Sequence, residues 1–175
     1  MNEKPIKVEA IPTIFTLGNL LFGFLSLIWT SKGDYRTAAG LILLSVLMDS
    51  MDGKVARRLE VSSEFGKELD SLCDVVSFGV APALLTYKVI LESHLGLWGI
   101  LLAAAFVLCG AVRLARFNVL NITTHFVGVP ITLAGGLMAL FILFYPSLPW
   151  GIFPVALVIL AYLMVSTVKV PKLGK

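Results

Sequence analysis

Asp49, Asp52, Asp70 and Asp74 stand close together in a chain where only 14% of residues are charged and 58% are hydrophobic. Small and basic neighbours accompany them at fixed spacing: Asp49-x2-Asp52-Gly53-x2-Ala56-Arg57-x8-Gly66-x3-Asp70-x3-Asp74. On a helix advancing about 100° per residue, Asp49, Asp52, Gly53, Ala56 and Arg57 share a sector of roughly 140°. Gly66, Asp70 and Asp74 recur at i, i+4 and i+8, so they line one stripe of the next helix. Residues 59–65 reverse the chain between the two, with Ser62 or Ser63 as N-cap and Glu64 placed to favour the helix dipole. Two facing helices then pool the carboxylates of four aspartates.

Such a cluster repels itself, and ionised groups inside an apolar protein mark function because they are costly to keep there. Cations must neutralise it. Oxygen-only donors suit hard divalent ions, Mg²⁺ or Mn²⁺ with Ca²⁺ a further option, whereas zinc would call for His or Cys. His94 and His125 lie outside the pattern, and Cys73, although a helical neighbour of Asp70, is a poor Mg²⁺ ligand. Cys73 and Cys109 both fall in apolar stretches and read as packing thiols.

The elements that position these residues follow from hydropathy. A mean hydropathy of +0.92 leaves too little polar surface to coat a soluble globule of 175 residues. Six apolar stretches, about 12–30, 36–57, 69–91, 96–116, 129–146 and 149–167, approach the roughly 20 residues of a spanning helix. The expected fold is all-α, an integral membrane bundle of six transmembrane helices in one domain covering 1–175, with 1–11 as a cytoplasmic N-terminal tail. Pro5 and shortness argue against an interfacial helix within 1–10. The first stretch reads as a retained helix, since no small-residue cleavage site follows it.

Lys4, Lys7, Lys54, Arg57, Arg58, Lys67, Arg113, Arg116, Lys169, Lys172 and Lys175 fall on one side of this bundle, and Lys32, Arg36 and Lys88 on the other. The positive-inside rule therefore places both termini and the aspartates on the cytoplasmic face of the cell membrane. The net charge of +3 is explained by these orienting residues, and no nucleic-acid patch is present. Residues 31–35 and Ser147-Leu148-Pro149 read as turns.

The motif resembles the signature of the CDP-alcohol phosphotransferase family, integral membrane enzymes that move a phospho-alcohol from a cytidine diphosphate carrier to a hydroxyl. A pattern this long should match by chance at roughly one start position in ten billion. The resemblance implies that Asp49, Asp52 and Asp70 hold metal, that Asp74 is the catalytic base and can also touch metal, and that two divalent cations take part. It assigns Gly53, Ala56 and Gly66 to a cytidine pocket where lack of bulk lets a nucleotide approach the backbone. Arg57 suits phosphate as a fork, with orientation of the chain as its other reading, and Asn19 is a further polar candidate for the CDP-lipid. It also implies a homodimer.

The acceptor must be read outside the motif. The segments Thr16–Gly23, Val75–Ala83, Arg113–Asn118 and Phe126–Pro130 look like the serine-using, phosphatidylserine-forming branch of the family. On that reading CDP-diacylglycerol, or CDP-archaeol in an ether-lipid source, and L-serine give the phospholipid and CMP. Arg113 and Arg116, neighbours on one helix, could clamp the serine carboxylate, with Asn118 nearby. They could equally obey the positive-inside rule or bind the phosphate of glycerol 3-phosphate or inositol phosphate, acceptors of other branches. A divalent-cation transporter would explain the aspartates and leave the Gly, Ala and Arg positions without a role.

Overall fold

The computed structural model describes residues 6–59, 63–120, 126–166 and 169–170, with side chains described from residue 13 onward except at 56, 57, 59, 120, 126, 127, 169 and 170. Six helical segments occupy these ranges: α1 (Ile6–Ser31), α2 (Tyr35–Leu59), α3 (Glu64–Leu95), α4 (Leu97–Leu120), α5 (Ile131–Leu143) and α6 (Ile152–Val165). They follow the expected apolar stretches in order, with two differences at the edges. α1 starts at Ile6, so part of the expected tail is helical. A two-residue antiparallel pairing, Phe126 with Val170 and Val127 with Lys169, adds a scrap of sheet to the otherwise helical chain.

Within α1, α3 and α4 run stretches long and apolar enough to cross a membrane by length and composition, Thr13–Ser31, Glu64–Leu95 and Leu97–Val119; α5 and α6 are apolar but shorter.

Local chemistry sets the joints. Gly33, at φ 81°, takes a left-handed conformation after α1 that side chains resist. Asp34 then caps α2, accepting the Thr37 backbone N–H at 3.1 Å and the Thr37 hydroxyl at 2.7 Å. Those two bonds, the hydroxyl first, hold the exposed Asp34 carboxyl below its ordinary range. At α3 the N-cap is Ser63, whose hydroxyl accepts from Gly66 N–H at 3.1 Å, while Glu64 in the first turn pairs with Lys67 at 3.0 Å. The expected capping role thus falls to Ser63; Ser62 lies outside the described residues.

α3 is not uniformly α-helical. It is wound as an α-helix through Asp74, widens into π-helix at Val75–Val80, returns to α at Ala81–Thr86 and widens again at Tyr87–Leu91. Pro82, at the head of the middle segment, has no N–H to give to an i−4 carbonyl, which is one reason for a changed winding there. The aspartate stripe therefore keeps α periodicity, and the phase of the helix changes immediately after Asp74.

α1 packs along α2, α5 lies against α2 and the middle of α3, and α6 packs on α4. Phe78, Phe106, Ile131, Met138, Phe153 and Leu157 are fully buried between them. Glycines permit the closest approaches. A Cβ on Gly135 of α5 would come within 2.5 Å of the Phe78 carbonyl oxygen, and one on Gly23 of α1 would overlap the Ser77 hydroxyl. Cys73 and Cys109 are both free, as expected of packing thiols.

Candidate active site

Asp49, near the end of α2, meets Asp70 and Asp74, one turn apart on α3: one carboxylate oxygen from each lies within 4.8 Å of the others. Asp70 Oδ1 is buried and has no hydrogen-bond partner among the described residues. Three acceptor-only groups gathered this tightly, one of them with an orphan oxygen, form a donor set that fits a hard divalent cation. Thr132, at the start of α5, lines the same groove as Asp49.

Asp52 lies outside that closest set. It is buried and accepts a 2.6 Å hydrogen bond from the Thr16 hydroxyl of α1. It is also near enough to Asp49 and Asp70 for its charge to act on both. The four motif carboxylates thus occupy one site, but the closest set comprises Asp49, Asp70 and Asp74.

Asp74 is tied to α1 as well, accepting from Asn19 Nδ2 at 3.1 Å. Asn19, expected among the CDP-lipid contacts, therefore touches the carboxylate expected to be the base. Its backbone carbonyl accepts Ser45 Oγ from α2 at 3.1 Å and Ser77 Oγ from α3 at 3.0 Å, pinning this turn of α1 to both aspartate-bearing helices.

The residues expected around serine are separated by the fold. Arg113 is only 7% exposed, close enough to Asp74 for a charge interaction, and its Nε is without a hydrogen-bond partner among the described residues. Arg116, three residues on, instead donates to the Val165 and Ser166 carbonyls at 3.0 and 3.4 Å, capping the end of α6. Asn118 bonds Ser71 at 3.0 Å and Glu68 at 3.4 Å, joining α4 to α3. Arg116 thus bonds the end of α6, while Arg113 lies near Asp74.

Among the expected nucleotide contacts, a Cβ on Gly53 would meet nothing within 4 Å, so that face is open. Gly66 has a local role, bringing its N–H to Ser63 with a Cβ there only 3.2 Å from that hydroxyl. The side chains of Ala56 and Arg57 lie outside the described residues.

Thr16 and Thr132 were not anticipated. Thr16 had a legible signal: Thr16, Asn19, Gly23, Ser26 and Thr30 make a small and polar seam at alternating steps of three and four along an apolar helix, and all five are buried. For Thr132 no pattern pointed to Asp49, some eighty residues earlier in the chain, because only the packing of α5 on α2 unites them.

Between α2 and α5 runs a groove of about 510 Å³, walled by Leu43, Val46, Leu133, Gly136, Leu137 and Leu140, with Asp49 and Thr132 also in its lining. An apolar channel that shares a wall with a carboxylate cluster suits a molecule with a charged head and a hydrocarbon tail.

Comparison with known proteins agrees with this chemistry. Residues 9–168 match the family model described as CDP-alcohol phosphatidyltransferase. The chain is 38% identical over 173 residues to a CDP-diacylglycerol–serine O-phosphatidyltransferase of Helicobacter pylori, covering 94% of this chain and 73% of that protein. It is 38% identical over 166 residues to the Bacillus subtilis protein of the same name, covering 94% and 92% of the two chains. It is 39% identical over 179 residues to an archaetidylserine synthase of Methanothermobacter thermautotrophicus, covering 98% and 74%.

Proposed function

This chain belongs to the CDP-alcohol phosphatidyltransferase family, and from that membership we propose that it transfers the phosphatidyl group of CDP-diacylglycerol to the hydroxyl of L-serine, releasing CMP. The observation that carries the proposal is the meeting of Asp49, Asp70 and Asp74 beside an apolar groove that Asp49 itself lines. The relatives named as serine transferases supply the acceptor.

Asp49, Asp70 and Asp74, with Asp52 beside them, would hold Mg²⁺ or Mn²⁺. Bound there, divalent cations would offset the charge of the pyrophosphate and of the departing CMP. The remaining work falls to the chain. Serine Oγ bonds to the lipid-bearing phosphorus while the bond from that phosphorus to the bridging oxygen breaks, and the electron pair leaves with CMP. The hydroxyl proton passes to Asp74, which Asn19 holds in place. Position counts for more than basicity here, because the proton is lost as the O–P bond forms.

Arg113 is the residue for the serine carboxylate, while Arg116 and Asn118 act by holding α6 and α3 against α4. Gly53, with Ala56, Arg57 and Gly66, faces the cytidine diphosphate. The groove takes an apolar chain of the donor, entering sideways from the bilayer. The six passes cross the cell membrane with both termini cytoplasmic, and the enzyme works as a homodimer. The archaetidylserine synthase among its relatives supports CDP-archaeol as a second donor to try.

The test is CMP release by purified protein in detergent with Mg²⁺ or Mn²⁺, comparing L-serine, glycerol 3-phosphate, myo-inositol and inositol phosphate as acceptors. Serine-dependent release that EDTA abolishes is expected. Release with another acceptor would replace serine, and no release with any donor would favour cation transport.

A further inference from the structure

Besides Asp70 Oδ1, two buried polar atoms near Asp74 are left over once the hydrogen bonds of the site are assigned. Asn19 is 0% exposed; its amide nitrogen donates to Asp74, and its Oδ1 has no hydrogen-bond partner among the described residues. Arg113, on the other side, has its Nε in the same condition.

Chemistry fixes which end of the Asn19 amide is free. An ionised carboxylate only accepts, so the NH₂ end must face Asp74 and the oxygen must face elsewhere. The side chain has little room to turn, because Ser45 and Ser77 hold its backbone carbonyl from two other helices. Gly23, one turn along, lets α3 close against α1 at that level. Buried acceptors without a donor are rare in folded proteins, and one next to a reacting carboxylate marks where a ligand's donor belongs.

The geometry points to Asn19 Oδ1 as the acceptor for the ammonium group of an amino-alcohol substrate, making Asn19 a specificity-determining residue. The inference rests on the serine reading given above. A free acceptor, a buried guanidinium and a proton-accepting carboxylate grouped at Asp74 match the ammonium, carboxylate and hydroxyl of a hydroxy-amino acid.

The decisive comparison uses L-serine against glycerate, which keeps the carboxylate and the reacting hydroxyl but replaces the ammonium with a hydroxyl. CMP release would be measured for wild type, Asn19→Leu and Asn19→Asp, each checked for folding by thermal unfolding in detergent; Asn19→Ala substitutes should leucine prevent folding. All variants lose turnover with both acceptors, since each loses the N–H donor to Asp74. Beyond that common loss, Asn19→Leu should reduce the serine-to-glycerate ratio of kcat/KM by about 10- to 100-fold. Asn19→Asp, which keeps an oxygen, should preserve the ratio. Equal losses for both acceptors in Asn19→Leu, or a collapsed ratio in Asn19→Asp, would reduce Asn19 to a positioning residue for Asp74 and overturn the inference. A wild type that uses some other acceptor and not serine would instead overturn the proposed function.

Discussion

Thr16 of α1 donates to Asp52 of α2 at 2.6 Å, tying into the site the motif aspartate that lies outside the closest carboxylate set. Asp49, Asp70 and Asp74 form that set without Asp52, whose bond to Thr16 joins two helices inside the site. Thr16→Val removes the bond and leaves a buried carboxylate short of a donor. The expected result is a fall of about 10- to 100-fold in kcat/KM for the CDP-lipid, with much of it regained in Thr16→Ser. Unchanged kinetics in Thr16→Val would mean that Asp52 needs no support from α1.

Removing the metal is expected to abolish turnover, and Mg²⁺ or Mn²⁺ added back should restore it. Asp49→Asn, Asp70→Asn and Asp74→Asn should each lower kcat by about 100-fold or more, as loss of a group acting in the transition state does. Titration of Mn²⁺ followed by electron paramagnetic resonance gives an independent reading, in which Asp49→Asn and Asp70→Asn weaken ion binding. Full Mn²⁺ affinity in both would remove these residues from the metal site.

Arg113 and Arg116 are predicted to behave differently although only three residues separate them. Arg113→Ala should raise the KM for serine about 10- to 100-fold with a smaller effect on kcat. Arg116→Ala should leave the serine KM near wild type and lower the thermal midpoint, because its partners are the carbonyls that end α6. Equal effects on serine KM would restore the clamp and contradict the observed side-chain directions.

Gly136 of α5 faces Val46 of α2 in the groove: a Cβ at 136 would be 3.3 Å from a Val46 methyl. Gly136→Phe should therefore raise the KM for CDP-diacylglycerol by about tenfold or more, since each methylene denied burial forfeits about 0.8 kcal/mol. The KM for serine should hold. A short-chain donor, which reaches less far along the groove, should be affected least; equal effects on long and short chains would argue that tails lie elsewhere.

Gly135 offers a stability test away from the chemistry. Its α-carbon faces the Phe78 backbone, where a Cβ would sit 2.7 Å from the Phe78 α-carbon. Backbone cannot move aside as a flexible side chain can, so Gly135→Ala should cost about 1–3 kcal/mol and lower the thermal midpoint by several degrees. Gly53→Ala, in open space, should unfold with wild type.

Residue order alone made legible the helical segments, the meeting of the α2 and α3 aspartates, and the residues that carry charge into an apolar chain. Those are local properties: apolar run length, helical spacing and capping chemistry act over a few turns, so residues 64–74 could be read as a capped helix with Asp70 and Asp74 on one face. Only the tertiary structure decided the roles that depend on neighbours distant in the chain. Asn19 reaches Asp74 across 55 residues, and Arg116 reaches the end of α6 across 49. Thr132 shares a groove with Asp49 because α5 packs on α2. The π-helical turn after Asp74 was likewise hidden, since helix propensity does not register a change of winding that the packed partners impose. Spacing along one helix assigns a residue to a face, but which helix that face meets is decided by how all six close together.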